Sequence, residues 1–384
     1  MSDKRHGARP PHVLTVVHSL ERTGPPLVAL RFLRWLREQR PDWVLSTLSL
    51  GGGDDLAGDF GRLGDVLEGT PVDPTGRLRR RARAELANRA LAARLRRFGA
   101  VDLVHVHCAG SMRALDVTPR APVLAHLHEL SVGLELHLGR RARHHLAAAD
   151  RYVAVADVVR DQFLERFPVD PDKVERQWGF VDPGDLPGPT AKQDVGLPAN
   201  CTLVVASGVR HWRKAPELFV RVARAAVERE PDRDWRFVWV GGSDVGGLED
   251  LVQRAGLGDR VQFLGHRPDS LRWIAAADLF FLPAREDAFP LVCVEAAALG
   301  RPIVSFDNGG TAELVERSGG GVVVPFPDVA GAATTICELA AAPEAAQRLG
   351  AAGAQFARAH LTTEHAAPLL LAALERTLAP PSGQ

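Results

Sequence analysis

The chain alternates short apolar runs with longer segments in which apolar residues recur at helical spacing. Runs this short predict buried parallel strands, and the longer segments predict the helices that connect them. We expect strands at residues 13–19, 43–50, 101–108, 122–127, 152–156, 201–207, 235–240, 261–264, 278–283, 302–306 and 319–325. The pattern therefore predicts an α/β protein.

The length of the chain predicts more than one domain. A chain of 384 residues suits two domains, each with its own core. We expect a first domain at 1–186, a linker rich in proline and glycine at 187–200, a second domain at 201–360 and a last helix at 361–378. The tail at 379–384 is expected to be disordered.

The stretch at 278–295, DLFFLPAREDAFPLVCVE, carries the most distinctive chemistry. It predicts a buried strand, an acidic loop and a helix whose first turn follows Pro290. The N–H groups at such a helix start attract anions. Carboxylates flank this point at Glu286, Asp287 and Glu295. An anion site between carboxylates suits a sugar nucleotide, because the N–H groups would take the diphosphate and the carboxylates the sugar hydroxyls.

Lysine is rare in this chain and occurs at Lys4, Lys173, Lys192 and Lys214. Lys214 ends a loop that follows the predicted strand at 201–207. A compact ammonium group at a strand end would neutralise a leaving diphosphate, whereas the alternative interpretation is a solvated loop.

Histidines mark the carboxyl ends of two predicted strands, at His105, His107, His126 and His128. In an open parallel sheet the ligand crevice lies outside those ends. A histidine inside a strand is more often a core residue than a catalyst. His128 begins a loop and is the first candidate, with His126 and His107 as alternatives.

Composition narrows the class of protein. Hydrophobic residues make up 46% of the chain and charged residues 24%, as in soluble globular proteins. Lys+Arg and Asp+Glu both number 47, so the charge gives no reason to expect nucleic acid as a partner. The four cysteines lack Cys-x-x-Cys spacing and favour reduced thiols in a cytoplasmic protein.

Basic residues cluster in the first half of the chain. The clusters consist of Arg77, Arg79, Arg80, Arg81, Arg83, Arg89, Arg94, Arg96 and Arg97, and of Arg140, Arg141, Arg143, His144 and His145. One hypothesis is weak contact with an anionic acceptor or with an anionic membrane surface at its inner face. The alternative is a solvated face in an arginine-biased chain.

Other motifs in the sequence do not indicate a metal site or a catalytic triad. Two Asp-x-Asp pairs, at 170–172 and 232–234, stand beside proline in connecting loops and are interpreted as turns. No Cys/His spacing is typical of zinc, and no nucleophile elbow supports a Ser-His-Asp arrangement. We therefore expect no metal and no cofactor.

The residues from Arg285 to Ala296, REDAFPLVCVEA, resemble the donor-binding signature of the retaining glycosyltransferases of family 4. That signature has two acidic residues separated by seven. The resemblance runs from about Val13 to the C-terminal helix and is sharpest between Cys201 and Val324. It implies the GT-B fold, in which two Rossmann-like domains with parallel sheets face a central cleft. It also implies that the last helix packs back on the first domain.

The resemblance implies a reaction. A sugar would move from a UDP- or GDP-sugar to an acceptor hydroxyl of a glycan, glycolipid or secondary metabolite, with retention at the anomeric carbon. Glu295 would hold the ribose hydroxyls, and Asp287 or Glu286 the hydroxyls of the donor sugar. His128 would contact the sugar near the reacting carbon, and no protein base is assigned.

The remaining roles by resemblance concern the phosphates. Lys214, with Arg210 or Arg213, would stabilise the departing phosphate. Backbone groups would face the diphosphate or the sugar at the other predicted donor contacts, which are Gly24, Phe289, Pro290, Leu291, Gly309 and Gly310.

Some residues depart from the family pattern. In strict register Val209 stands where the family has arginine, Ala215 where it has glycine, and Gly24 is the one glycine left of a Gly-Gly turn. At Gly24 the alternative interpretation is a plain strand-to-helix turn. Two other functions therefore stay open: a catalytically silent relative that acts as partner or scaffold, and a GT-B sugar-nucleotide epimerase.

Overall fold

The structure is a computed structural model that describes residues 9–71, 78–138, 140–242 and 246–379, without the side chains of 78–81, 135–137, 140 and 141. The predictions for Arg77 and for the tail at 380–384 lie outside the described residues. The same holds for the side chains of Arg79, Arg80, Arg81, Arg140 and Arg141. Of the other predicted basic residues, Arg83, Arg89, Arg94, Arg96, Arg97, Arg143 and His144 are exposed.

Strands and helices alternate along most of the chain, and a 3₁₀ helix at Ala109–Asp116 connects β4 to β5. The strands are β1 His12–Val17, β2 Val44–Ser49, β3 Asp65–Glu68, β4 Leu103–His107, β5 Val123–Leu127, β6 Arg151–Ala154, β7 Val174–Arg176, β8 Thr202–Ser207, β9 Trp235–Val240, β10 Val261–Phe263, β11 Leu279–Leu282, β12 Ile303–Phe306 and β13 Gly321–Val324. The helices are α1 Gly24–Gln39, α2 Ala57–Leu63, α3 Leu78–Leu95, α4 Ser131–His137, α5 Arg140–Ala147, α6 Asp157–Arg166, α7 Pro216–Arg229, α8 Leu248–Arg254, α9 Ser270–Ala276, α10 Leu291–Ala298, α11 Gly310–Ser318, α12 Val329–Ala341, α13 Pro343–His360 and α14 Thr363–Leu378.

The chain forms two compact units. Unit 1 takes the residues up to 155, residues 159–177 and those from 366 onward, and unit 2 takes 156–158 and 178–365. The domain bounds predicted above, with a linker at 187–200, stay predictions.

Each unit is built on one parallel sheet. In unit 1 the strand order is β3-β2-β1-β4-β5-β6-β7, and in unit 2 it is β10-β9-β8-β11-β12-β13. Every neighbouring pair of strands is parallel. The predicted fold class, α/β with two Rossmann-like sheets, is therefore confirmed.

Aromatic residues fill the core of unit 2. Trp235, Phe237 and Trp239 alternate along β9 and point to one face of the sheet. Phe219 of α7 packs edge-on against Phe237, with ring centroids 5.8 Å apart, and stacks on Phe281 of β11 at 6.2 Å. All five side chains are fully buried, which fixes α7 against the strands that carry the loops described below.

The strand order reverses once in each unit. The reversal lies between β1 and β4 in unit 1 and between β8 and β11 in unit 2. In a sheet of this type a crevice opens outside the carboxyl ends of the two strands at the reversal. The loops after β8 and β11 carry the predicted cation and the predicted acidic motif, so unit 2 brings them to one place.

The predicted strand bounds differ from the observed ones by at most two residues. Helix α1 begins at Gly24, so that both following prolines lie inside its first turn. Helix α10 begins at Leu291, with Pro290 as its N-cap. Strands β3 and β7 were not predicted, because two of the four residues of β3 are polar and β7 has three residues. Among the described residues, no helix is both long and apolar enough to cross a membrane.

Two helical glycines offer a matched stability test. A Cβ on Gly350 of α13 would lie 2.1 Å from the carbonyl oxygen of Gly300, whereas a Cβ on Gly58 of α2 would meet nothing within 4 Å. We expect Gly350→Ala to lower the free energy of unfolding by roughly 1–3 kcal/mol through overpacking. Gly58→Ala should raise it by about 0.5–1 kcal/mol, because it lowers the entropy of the unfolded chain.

Urea unfolding followed by circular dichroism measures both changes. Shifts of the same sign in the two variants would contradict the close approach of α13 to Gly300.

Candidate functional site

The loop after β8, residues 208–215, is anchored at the strand end. Gly208 has φ +143, and its carbonyl oxygen accepts a hydrogen bond from Trp239 Nε1 at 2.9 Å. Gly241 must be glycine here, because a Cβ would lie 2.0 Å from that oxygen. The N–H of Arg210 donates to the carbonyl of Gly242 at 3.0 Å. These contacts fix the path by which the loop enters the crevice.

Ala215 closes this loop in a backbone conformation that favours glycine. Its φ is +52 and its ψ is +54, and it directly precedes Pro216, the first residue of α7. The left-handed region costs an L-residue roughly 1–2 kcal/mol relative to glycine. The family pattern has glycine at this position, and the conformation gives the physical reason.

Lys214 and Asp287 form an ion pair at the crevice. Lys214 Nζ lies 2.6 Å from Asp287 Oδ2, and the two side chains are only 14% and 11% exposed. Charges buried to this extent are stable only when they are paired and hydrogen-bonded. The structure thus joins a predicted phosphate cation to a predicted sugar-binding carboxylate.

The loop that carries Asp287 is attached to the start of α11. The N–H of Asp287 donates to the carbonyl of Asn308 at 2.9 Å, and the N–H of Gly310 donates to the carbonyl of Asp287 at 2.8 Å. A Cβ on Gly310 would lie 1.8 Å from the carbonyl oxygen of Ala288, and Gly309 has φ +98. Both glycines of the predicted pair are therefore required by the backbone geometry.

Glu295 lies in α10 and is 7% exposed. Its charge, together with those of Lys214 and Asp287, acts on the thiol of Cys293 in the same helix. Burial is the main cause that raises the pKa of Cys293 to about 12, so this thiol stays protonated and unreactive. Lys214, Asp287 and Glu295 are therefore close enough to this buried thiol to act on it.

Sequence reasoning missed a second link between the two loops. Arg285 Nη1 donates to the carbonyl of Trp212 at 2.6 Å, and its guanidinium lies 5.3 Å from the centroid of the Trp212 ring. The same guanidinium forms an ion pair with Glu217 in α7. Arg285 is the first residue of the family motif, and no role was predicted for it. Here it braces the loop after β11 against the loop after β8.

The two candidate arginines have different surroundings. Arg210 Nη1 lies 3.1 Å from Glu249 Oε1, and its guanidinium stands over the ring of Phe263 at 5.6 Å. Within the described part of the chain, the guanidinium of Arg213 makes no hydrogen bond and no ion pair. The backbone of Arg213 accepts a hydrogen bond from the N–H of Arg285 at 2.8 Å. The charge of Arg213 therefore has no partner among the described residues.

The start of α10 has the geometry of an anion-binding helix end. The carbonyl of Pro290 accepts from the N–H groups of Cys293 and Val294, so the earlier N–H groups, beginning at Leu291, precede the first intrahelical bonds. Phe289 is 7% exposed and stacks on Trp178 with ring centroids 6.4 Å apart. The stacking holds the turn in place at the crevice.

In unit 1, His128 is held by a network at the end of β5. Its Nε2 lies 3.2 Å from His107 Nδ1. The carboxylate of Glu129 accepts from the N–H of His128 at 3.0 Å and from the N–H of Ala109 at 3.0 Å. Glu129 is 8% exposed and was not predicted as a functional residue, although it directly follows His128.

The other predicted histidines are core residues of unit 1. His105, His107 and His126 are at most 1% exposed. Burial lowers the pKa of His105 to about 3. Burial, and then the neighbouring imidazoles, lower the pKa of His107 and His126 well below the ordinary value. All three rings are therefore neutral near pH 7.

The loop after β1 differs from its prediction. Gly24 is the first residue of α1, its φ is not positive and a Cβ there would meet nothing within 4 Å. Neither packing nor backbone conformation requires glycine at this position. His18 directly follows β1 and lies at the same strand end. Its Nδ1 is 3.8 Å from Cys108 Sγ, and Cys108 has φ +71.

Comparisons with known proteins agree with this fold. A family model for glycosyl transferases group 1 matches residues 200–342, and one for glycosyltransferase family 4 matches residues 47–184. A crystal structure of Anabaena Alr3699/HepE in complex with UDP and glucose superimposes with a TM-score of 0.76 at 18% identity, covering 95% of this chain and 100% of that chain. The chain belongs to the glycosyltransferases of family 4 and has the GT-B fold.

Curated relatives are named for one activity. The D-inositol 3-phosphate glycosyltransferase 2 of Catenulispora acidiphila is 33% identical over 51% of this chain and 49% of its own length. The D-inositol 3-phosphate glycosyltransferase 1 of the same organism is 29% identical over 77% of each chain. The chain thus spans about half the length of the first curated relatives it matches.

The buried ion pair predicts a strong energetic coupling. We expect Lys214→Met and Asp287→Asn each to lower the free energy of unfolding by roughly 3–5 kcal/mol, because each leaves the other charge or dipole buried without its partner. The double variant should lose much less stability than the sum of the losses in the two single variants. A double-mutant cycle in urea measures the coupling, and the exposed pair Arg224–Glu228, with side chains 57% and 61% exposed, is the control. Additive losses at Lys214 and Asp287 would contradict the pair.

Ala215 gives a second prediction. We expect Ala215→Gly to be neutral or to stabilise unit 2 by up to about 1 kcal/mol, because relief of the left-handed conformation offsets the lost methyl group. Ala223, a buried residue inside α7, is the matched control, and Ala223→Gly should cost about 1 kcal/mol or more. Equal losses in the two variants, measured by urea unfolding, would show that Ala215 is not strained.

Proposed function

We propose that this protein is a retaining glycosyltransferase that moves a sugar from a nucleoside-diphosphate sugar to an acceptor hydroxyl. The observation that carries the proposal is the buried Lys214–Asp287 pair at the strand-order reversal of unit 2, with Glu295 nearby. The cation would bind the diphosphate, and the carboxylates would bind sugar hydroxyls. These groups lie at the point where this type of sheet binds nucleotides.

The Lys214–Asp287 pair accounts for the charge balance of the site before and after a donor binds. Without donor, Lys214 and Asp287 neutralise each other in a poorly hydrated place. A donor diphosphate would share the ammonium group with Asp287, and Asp287 would accept hydrogen bonds from the hydroxyls of the neighbouring sugar. Arg213 is the better candidate for the second cation, because Arg210 is paired with Glu249.

The stereochemistry of the proposed reaction is taken from the family resemblance. The bond between the anomeric carbon and the diphosphate breaks, and the bond to the acceptor oxygen forms on the same face of the sugar. The proton of the acceptor hydroxyl passes to the departing phosphate oxygen, so no protein base is required. Lys214 and the N–H groups at the start of α10 would stabilise the charge that builds on the leaving diphosphate.

The comparisons indicate which donor and which acceptor to test first. The Anabaena neighbour was solved with UDP and glucose, which makes UDP-glucose the first donor to test, with GDP-sugars as the alternative. The curated relatives are named for D-inositol 3-phosphate, which makes that compound the first acceptor to test. Glycans, glycolipids and secondary metabolites follow it. His128 is assigned to the donor sugar by family resemblance only.

Donor binding and transfer test the proposal together. A thermal-shift screen of UDP-, GDP- and dTDP-sugars identifies the donor, because a bound ligand raises the apparent melting temperature. We expect Glu295→Gln to weaken donor binding by about 10- to 100-fold through the loss of charged hydrogen bonds. Lys214→Met should lower kcat more strongly than it changes KM, because its charge acts on the leaving group.

The design includes matched controls. Glu228→Gln, on the exposed face of α7, should leave donor binding unchanged. Glu286→Gln compared with Asp287→Asn identifies the carboxylate that meets the sugar. His128→Ala should reduce transfer without weakening binding of the bare nucleoside diphosphate. Binding without turnover, with any acceptor, would instead favour a silent partner or scaffold, and conversion of the donor sugar without transfer would favour an epimerase.

A further inference from the structure

Three histidines that the proposed reaction does not use lie together in the core of unit 1. His105 and His107 are two apart on β4, and His126 lies on the neighbouring strand β5. His107 and His126 are direct partners in the register of the two strands. Because alternate residues share a face of a sheet, all three rings project to the same side. One ring nitrogen from each residue lies within 4.8 Å of the others.

These rings lack the hydrogen bonds that buried imidazoles need. Nδ1 and Nε2 of His105, Nδ1 and Nε2 of His126 and Nε2 of His107 have no partner among the described residues. Only His107 Nδ1 is engaged, with His128 Nε2 at 3.2 Å. A buried polar group without a partner costs roughly 1–3 kcal/mol, and buried groups are normally satisfied. Five ring nitrogens without partners at one place indicate a bound species that interacts with them.

Another buried histidine of the same sheet shows the contrast. His12 on β1 is 2% exposed, yet its Nδ1 lies 3.1 Å from the carbonyl oxygen of Ala100 and its Nε2 lies 2.9 Å from Ser46 Oγ. The core of unit 1 therefore can satisfy a buried imidazole. The three rings on β4 and β5 are left without such partners.

We infer that His105, His107 and His126 form a binding site for a divalent transition-metal ion, with zinc as the best fit. Three imidazole nitrogens form a donor set that zinc accepts, and hard cations such as magnesium and calcium prefer oxygen. Around zinc, with Zn–N bonds of about 2.0–2.1 Å, tetrahedral donors stand about 3.4 Å apart. The rings would therefore need to draw together by roughly 1 Å, which side-chain rotation supplies.

A fourth histidine stands at the end of this row of rings. His128 contacts His107 and is partly exposed, and it is not counted among the ligands, because it is assigned to the donor sugar.

Such an ion would be structural. It would join β4 to β5 beneath the loops that carry Cys108 and His128, and its binding would add to the stability of unit 1. The proposal is independent of sugar transfer. Full transferase activity in a preparation of this chain that binds no zinc after refolding with Zn²⁺ would leave the proposed function intact and overturn only this inference.

Metal content tests the site directly. The full chain, without an affinity tag, is unfolded and refolded with Zn²⁺, because the rings are inaccessible in the folded protein. After dialysis, elemental analysis should find about one zinc ion per chain. The exposed His144→Gln, on α5, should retain that ion. His105→Leu and His126→Leu should each hold less than about a tenth as much. Less than about 0.1 ion in the wild type, or an unchanged content in both leucine variants, overturns the inference.

Stability gives a second readout whose sign decides between the alternatives. If the cluster binds zinc, His126→Leu removes a ligand, and both its melting temperature and the zinc dependence of melting should fall relative to the wild type. If the site stays empty, leucine replaces an imidazole that has no partners, and the melting temperature should rise. If His126→Leu does not fold, refolding the wild type with Co²⁺ decides instead. The visible absorption of tetrahedral cobalt supports the site, and its absence overturns it.

Discussion

The organisation of unit 2 depends on one buried ion pair. Lys214 and Asp287 come from loops that follow β8 and β11, the two strands between which the strand order reverses. Neither charge would be stable at this depth alone, so each loop requires the other. Arg285 reinforces the connection through Trp212 and Glu217, and the backbone of Asp287 carries it on to Gly310. The crevice is therefore preorganised before any donor arrives.

Preorganisation of this kind has a cost in backbone strain and in side-chain freedom. Ala215 is held in the left-handed region so that α7 can begin where the lysine enters the crevice. Gly241 and Gly310 are needed because carbonyl oxygens approach their α-carbons too closely for any side chain. These three residues lie in or beside the loops that position Lys214 and Asp287.

In unit 1, three of the four predicted histidines lie in the core of the sheet and not at a crevice. His105, His107 and His126 are neutral and buried, and His128 ends the row at the strand terminus. Strand histidines were predicted to be core residues, and these three are buried. Five of their six ring nitrogens have no hydrogen-bond partner among the described residues. Zinc motifs are normally recognised by spacing along the chain. This cluster was missed because it is assembled across two strands, although a His-x-His pair followed by another in the next strand was a usable signal.

The sequence by itself determined the fold class, most strands and helices, and the acidic motif with its helix start, because hydrophobic period, helix caps and short motifs are local properties. Only the tertiary structure decided which distant groups meet. Lys214 and Asp287 are brought together by the order of β8 and β11, and His107 and His126 by the register of β4 and β5. Strand order and register depend on the packing of whole sheets, and no local pattern in the chain encodes them.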